Sequence, residues 1–306
     1  MNDLIKKQLK KVPGVHYMYG NFVQHGKINA TVFTYKANFK ERPEFEITKI
    51  DPERSLYLDR KQEMMSFFDI SESQLFWHFL RNGTPNTNYY RQRLERFFEI
   101  YGTDEASLKK AYESASFMYT CRCLLRYHQY SMGLKVIEIC DKVSGKHASG
   151  LKLLDYGCGV ADPSLYLALH GANAVVVDLA DKKFEFAKSR FKIRNLPVKA
   201  IEVHETEDPI DLEGSYDVIL MAEFLEHVRR PRCFLEFALE HLVDGGLFYD
   251  SVGTNYHHGA GGQHLLEAES EMNDPDYRAY FQHHFQPVNE ILKSDQFDHF
   301  YIKRNA

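Results

Sequence analysis

Cysteine is scarce and unordered in this chain. Its 5 cysteines, Cys121, Cys123, Cys140, Cys158 and Cys233, are odd in number, and no two stand at C-x-x-C spacing. That argues against a disulfide framework and for a reducing compartment. No apolar run approaches the length of a membrane span, and no apolar core of signal-peptide length follows Met1. A cytoplasmic protein without a membrane anchor is therefore expected. A strong charge of one sign is also missing: the net charge is −5, which argues against broad nucleic-acid binding. Tryptophan occurs 1 time, yet 22 Phe and 19 Tyr are present, enough for a bulky core or a pocket lined by rings. No internal repeat or low-complexity segment interrupts the 306 residues, a length that suits one large domain or two ordinary ones.

Three textures follow one another. A basic start, Lys6 to Lys11, ends at Pro13-Gly14, and a strand-like stretch contains Ile28 to Tyr35. From about Asp59 to Tyr130 the apolar residues recur at three- and four-residue spacing, predicting helices over Lys61–Phe68, Ser71–Leu80, Asn88–Tyr101 and Glu105–Tyr130. Ser71 with Gln74 has the form of a capping box. Residues 1–115 are thus expected to form a mainly helical cap or substrate region, and residues 116–306 a second domain.

In the second half, strand and helix alternate. Strands are expected at Leu151–Tyr156, Ala174–Asp178, Val198–His204, Tyr216–Met221 and Leu247–Val252. Helices are expected at Pro163–His170, stopped by Gly171, at Lys182–Arg194 and at Pro231–Leu242. This alternation predicts an α/β fold, a Rossmann-like, doubly wound and mostly parallel sheet. Its ligand belongs beyond the carboxyl ends of the strands. The first strand runs into Asp155-Tyr156-Gly157-Cys158-Gly159, a turn whose glycines let a ligand approach the backbone, and the second ends in Asp178, an acceptor suited to a ribose diol.

A dinucleotide site wants a third glycine where Asp162 stands, and an acid at a helix start repels a pyrophosphate. S-adenosylmethionine carries no phosphate, and its sulfonium and amine tolerate acids. The stretch from Leu151 to Gly253 resembles the class I S-adenosylmethionine-dependent methyltransferases. Asp155 to Ala161 matches their D-x-G-x-G-x-G with Ala161 at the third glycine; Val177-Asp178, Tyr216 to Ile219 and Asp244 to Leu247 match later motifs. The resemblance implies that Gly157, Cys158 and Gly159, in the turn opened by Asp155, meet the methionine part. It implies Asp178 on the ribose, Leu179 on adenine, Glu205 at the adenine amine, and backbone of Met221 and Ala222 beside the ligand. Tyr119 or Arg126, on the helix before the first strand, would reach the methionine carboxylate. Cys158 is then part of the cofactor turn and not a nucleophile. The family adds two strands after the fifth; here a helix at Val288–Lys293 and one strand at His299–Lys303 are expected. Either the sheet is one strand short, or Ile28–Tyr35 or a partner protomer in a homodimer fills the open edge.

Met221 to Val228 carries the densest chemistry. On a helical turn Glu223, Glu226 and His227 share one face, and two carboxylates with an imidazole suit a divalent ion such as Mn²⁺ or Mg²⁺. The E-x-x-E-H pattern is similar to that of the ubiquinone-pathway O-methyltransferases and to metal-dependent enzymes that 2′-O-methylate RNA ends. In the latter a later histidine completes the site, for which His257, His258 and His264 are candidates, His264 first. Without a metal, His227 is the expected base for a hydroxyl acceptor, with Glu226 beside it. The family's Asn/Asp-Pro-Pro-aromatic motif for base amino groups is absent; Ala222-Glu223-Phe224-Leu225 stands there. A small-molecule acceptor, hydroxyl or amine, is the first reading. An RNA 2′-O-methyltransferase and a non-catalytic binding protein of the same fold are the alternatives.

Overall fold

Leu153 and Leu154 are adjacent, point to opposite faces of strand β1 (Lys152–Tyr156), and are both fully buried. A strand buried on both sides needs a helical layer on each face. The computed structural model describes residues 62–71, 74, 120, 128–204, 208–251 and 265–304, and it supplies those layers. The sheet has seven strands in the order β3-β2-β1-β4-β5-β7-β6. These are β2 (Asn173–Leu179), β3 (Val198–Val203), β4 (Tyr216–Met221), β5 (Leu242–Asp250), β6 (Phe285–Pro287) and β7 (Phe300–Lys303). The pairings β3-β2-β1-β4-β5 are parallel, while β7 runs antiparallel to β5 and to β6.

The helices are α1 (residues 62–68), α2 (His128–Ile139), α3 (Asp162–Leu169), α4 (Lys182–Ile193), α5 (Pro231–His241), α6 (Leu266–Met272), α7 (Pro275–His284) and α8 (Val288–Leu292). On one face Leu153, Val176 and Leu220 pack against Val136, Leu165 and Phe191 of α2, α3 and α4. On the other, Leu154, Ile219 and Phe248 meet Leu235 of α5 and Tyr277 and Phe281 of α7. Helix α2 lies close on α3 because Gly133 is bare; a Cβ there would stand 2.5 Å from the Tyr166 ring.

Local signals explain most boundaries. The Asp181 carboxylate accepts the Phe184 N–H at 2.8 Å and starts α4. Gly171, at φ +91°, follows α3 as expected. Ser71 and Gln74 form the reciprocal capping pair, at 2.8 and 3.2 Å. Two expectations are corrected. The edge after β5 is completed by β6, three residues ending in Pro287, which is tolerated on an edge strand. Helices α6 and α7 were not anticipated, although Asp274 accepting from Asp276 N–H, with Pro275 following it, is a helix start. Ile28–Tyr35 and most of the expected cap region lie outside the described residues, as does the boundary at 115–116.

Because each face of β1 has its own core, Leu153→Ala and Leu154→Ala should each lower stability by about 2–5 kcal/mol in chemical denaturation. A near-neutral result for either would contradict a sheet covered on both sides.

Candidate functional site

The turn after β1 is fastened to β2. The N–H groups of Gly157 and Cys158 donate to the Val177 carbonyl at 2.8 and 3.1 Å. Gly157, Gly159 and Ala161 all take positive φ, at +73°, +61° and +56°. Ala161 thus adopts the left-handed backbone that the family's third glycine would hold. The two glycines are bare for different reasons. A Cβ on Gly157 would stand 2.4 Å from the Phe224 ring, whereas a Cβ on Gly159 would meet nothing within 4 Å among the described residues. At Gly157 the protein's own Phe224 is thus one reason for the glycine, whatever a ligand requires there. Phe224 in turn leans on Tyr156 and Phe234, with ring centroids 5.1 Å away in each case.

Asp178, at the tip of β2, reaches across to this turn. Its Oδ2 accepts the Gly159 N–H at 2.6 Å; its Oδ1 accepts the Leu179 N–H at 2.8 Å and faces Lys183 Nζ at 3.0 Å. Burial works against the Lys183 ammonium, but Asp178 and then Asp181 outweigh it and raise its pKa. Lys183 escaped the sequence reading, although its position five residues beyond the strand-end acid was a signal. Cys158 is buried, and desolvation followed by the nearby Asp178 and Asp155 carboxylates pushes its thiol well above the ordinary value. This agrees with a structural place for it in the turn.

Asp155, Asp162, Asp178 and Asp181 are all buried around the turn. Asp162 faces the Arg190 guanidinium at 2.7 Å and Asp178 faces Lys183. Asp155 accepts from the Ser164 hydroxyl, a second partner that the sequence reading missed. Its pKa is raised to about 7, chiefly by burial and further by Asp178 and Asp162, against the Ser164 hydrogen bond.

The exit from β4 is not the expected α-helical turn. Met221 is buried and Ala222 half-buried; Glu223 then turns the chain at φ +52°, and its N–H donates to Ser251 Oγ at 2.5 Å. A 3-10 turn, Leu225–His227, follows. With that backbone Glu223, Glu226 and His227 do not share one face. Glu223 is exposed, Glu226 is buried and His227 half-buried, with Nε2 4.0 Å from Glu226 Oε1. Among the described residues no three His, Cys, Asp or Glu side chains converge as a metal site. The donor set expected for a divalent ion is thus not assembled by Glu223, Glu226 and His227. His257, His258 and His264 lie outside the described residues, as do Glu205, Tyr119 and Arg126. Asp250, which the sequence reading passed over inside the fifth strand, is fully buried at the tip of β5 and level with Met221. After burial, its charge is the next cause raising the pKa of Tyr249, Tyr277 and Tyr301.

A carboxyl whose pKa rises on folding favours the folded state below its unfolded value near 4, and that contribution is lost as pH rises through about 7. Asp155→Asn should therefore flatten the decline in folding stability between about pH 4 and pH 7, measured by urea denaturation across that window. An unchanged slope would mean that Asp155 is not the buried acid responsible.

Comparison with known proteins adds the family. Residues 126–290, more than half of the 306-residue chain, match a family model described as "Methyltransferase domain". The ubiquinone biosynthesis O-methyltransferase of Rickettsia akari is 27% identical over 112 residues, 37% of this chain and 44% of that protein. The mitochondrial ubiquinone biosynthesis O-methyltransferase of Schizosaccharomyces pombe is 33% identical over 99 residues, 32% of this chain and 36% of that one. The chain thus spans less than half the length of either relative. A solved S-adenosylmethionine-dependent methyltransferase from Clostridium acetobutylicum is 19% identical, with a TM-score of 0.34, covering 39% of this chain and 48% of that one. No helix among the described residues is long and apolar enough to cross a membrane. With its matched span, glycine turn and strand order, the chain belongs to the class I S-adenosylmethionine-dependent methyltransferase family.

Proposed function

We propose that the chain methylates a hydroxyl of a small molecule, using S-adenosylmethionine. The observation that carries this reading is the open space at Gly159, bordered by the Asp178 carboxylate that holds its amide and by the protonatable Asp155. When bound, the donor supplies an electrophilic methyl group on a sulfonium, a good leaving group. Gly157, Cys158 and Gly159 offer bare backbone to its methionine part. Asp178 keeps lone pairs beyond those used by Gly159, Leu179 and Lys183, and these accept the ribose hydroxyls. Half-buried Leu179 packs on the adenine, with Glu205 at its amine, and Met221 and Ala222 border the ligand from β4. Tyr119 or Arg126 would take the methionine carboxylate, and residues 1–115 would serve as the substrate region.

His227 would take the proton of the acceptor hydroxyl as that oxygen gains the methyl group and the sulfur leaves as S-adenosylhomocysteine. Glu226, 4.0 Å from the ring Nε2, stabilises the resulting imidazolium. No step is assigned to a metal. A hydroxyl acceptor is favoured by the relatives, whose names are those of O-methyltransferases. A polyanionic RNA acceptor is disfavoured by the net charge of −5.

Asp178→Ala should weaken S-adenosylhomocysteine binding by about 1–3 kcal/mol in calorimetry, from lost charge-assisted bonds. Unchanged affinity would refute the ribose role. His227→Ala should slow methyl transfer to small hydroxyl acceptors by about 10²–10⁴-fold while leaving S-adenosylhomocysteine affinity intact. Undiminished turnover would remove His227 as the base.

A further inference from the structure

Arg190 is fully buried in α4, yet it lies on the face turned towards the donor turn and not in the sheet core. Its Nη1 donates to the Val160 carbonyl at 2.6 Å and to Asp162 Oδ1 at 2.7 Å. One nitrogen therefore bridges the residues on either side of Ala161, the non-glycine residue held at φ +56°. An L-residue in that conformation costs about 1–2 kcal/mol, so the surroundings must impose it. The other side of the guanidinium reaches α1, where Nε donates to Glu63 Oε2 at 2.7 Å. Arg194, one turn later, pairs with the second Glu63 oxygen and donates to the Arg190 carbonyl at 3.1 Å.

An apolar contact accompanies the charges. Met64 of α1 packs with Val160 and Phe186, and the rings of Phe67 and Phe68 lie 5.5 and 5.9 Å from that of Phe186. The Arg190 guanidinium stands 5.7 Å from the same ring. Two arginines and two carboxylates balance in charge, and Glu63 is held below the ordinary carboxylate value because its arginines outweigh its burial. Removing ions from water is costly, and an apolar cluster of the same shape is often no less stable. What apolar side chains cannot do is fix a carbonyl and a carboxylate at two points of a strained turn.

We propose that Arg190 is a positioning residue for the donor turn, and that Glu63 of α1 holds Arg190 in register. Docking of the N-terminal helix and binding of the methyl donor are then coupled, each strengthening the other by the same factor. The inference rests on the donor site proposed above. It assigns the turn's geometry to a contact with α1, in addition to the glycines themselves.

Calorimetry with S-adenosylhomocysteine on the full chain tests it, together with hydrogen exchange of residues 62–68. Glu63→Gln keeps the shape of the side chain and removes its charge. Its affinity for S-adenosylhomocysteine should fall about tenfold, within the usual range of coupling between sites. Arg190→Lys, which keeps the charge and loses the fork, should lose as much, and the double variant little more than either single change. In the unmodified protein, S-adenosylhomocysteine should slow exchange at 62–68. If Arg190→Lys fails to fold, Glu63→Gln and the exchange measurement decide. The proposal is overturned if Glu63→Gln melts earlier yet keeps its affinity within about twofold, and the ligand leaves exchange at 62–68 unchanged. In that result Asp178→Ala still weakens binding. If the folded, unmodified protein does not bind S-adenosylhomocysteine, the donor site itself is refuted and this inference goes with it.

Discussion

The hydrogen bond from the Gly159 amide to the Asp178 carboxylate joins two strand tips that the sheet alone would leave as separate loops. Parallel strands β1 and β2 fix their own spacing through paired backbone. Beyond their ends the Val177 carbonyl holds only the Gly157 and Cys158 amides, and the rest of the turn needs another anchor. Asp178 supplies it, because it is too buried to leave its charge unpartnered and has two nearby N–H groups to satisfy it. The carboxylate thus shapes the turn before it meets any ligand, with Lys183 Nζ 3.0 Å from it.

This arrangement gives the site its electrical character. Buried acids near one another must be paired, hydrogen-bonded or protonated. Asp162 and Asp178 have cations and Asp181 has a helix amide. Asp155 has a serine hydroxyl and a pKa near neutrality. Each of the four buried acids is therefore answered within the protein, by a cation, an amide or a hydroxyl.

Much of this was readable in the linear sequence where the signal is local. Apolar runs such as Ala174 to Val177, the glycine turn and the Ser71–Gln74 capping box each act within a few residues, so strands and helices could be placed. What could not be placed depends on distant partners or weak local preference. β6 is three residues long and ends in Pro287. Helix α6 buries only Ala268 and Met272, too few for a period to show. Glu223 has a spacing that fits an α-helix, and nothing in its own chemistry announces a left-handed backbone. Arg190 looks like one more cation on a charged helix, because its partner Glu63 lies 127 residues away.

Phe224 over Gly157 has an evolutionary consequence. The ring fills the volume that any larger residue at 157 would need, and the same ring also rests on Tyr156 and Phe234. The two positions can drift only as a pair, the aromatic shrinking before the glycine gains a side chain. Among divergent descendants of this chain, the identity of the residue two places after the Ala222 counterpart should forecast which amino acid is permitted in the turn.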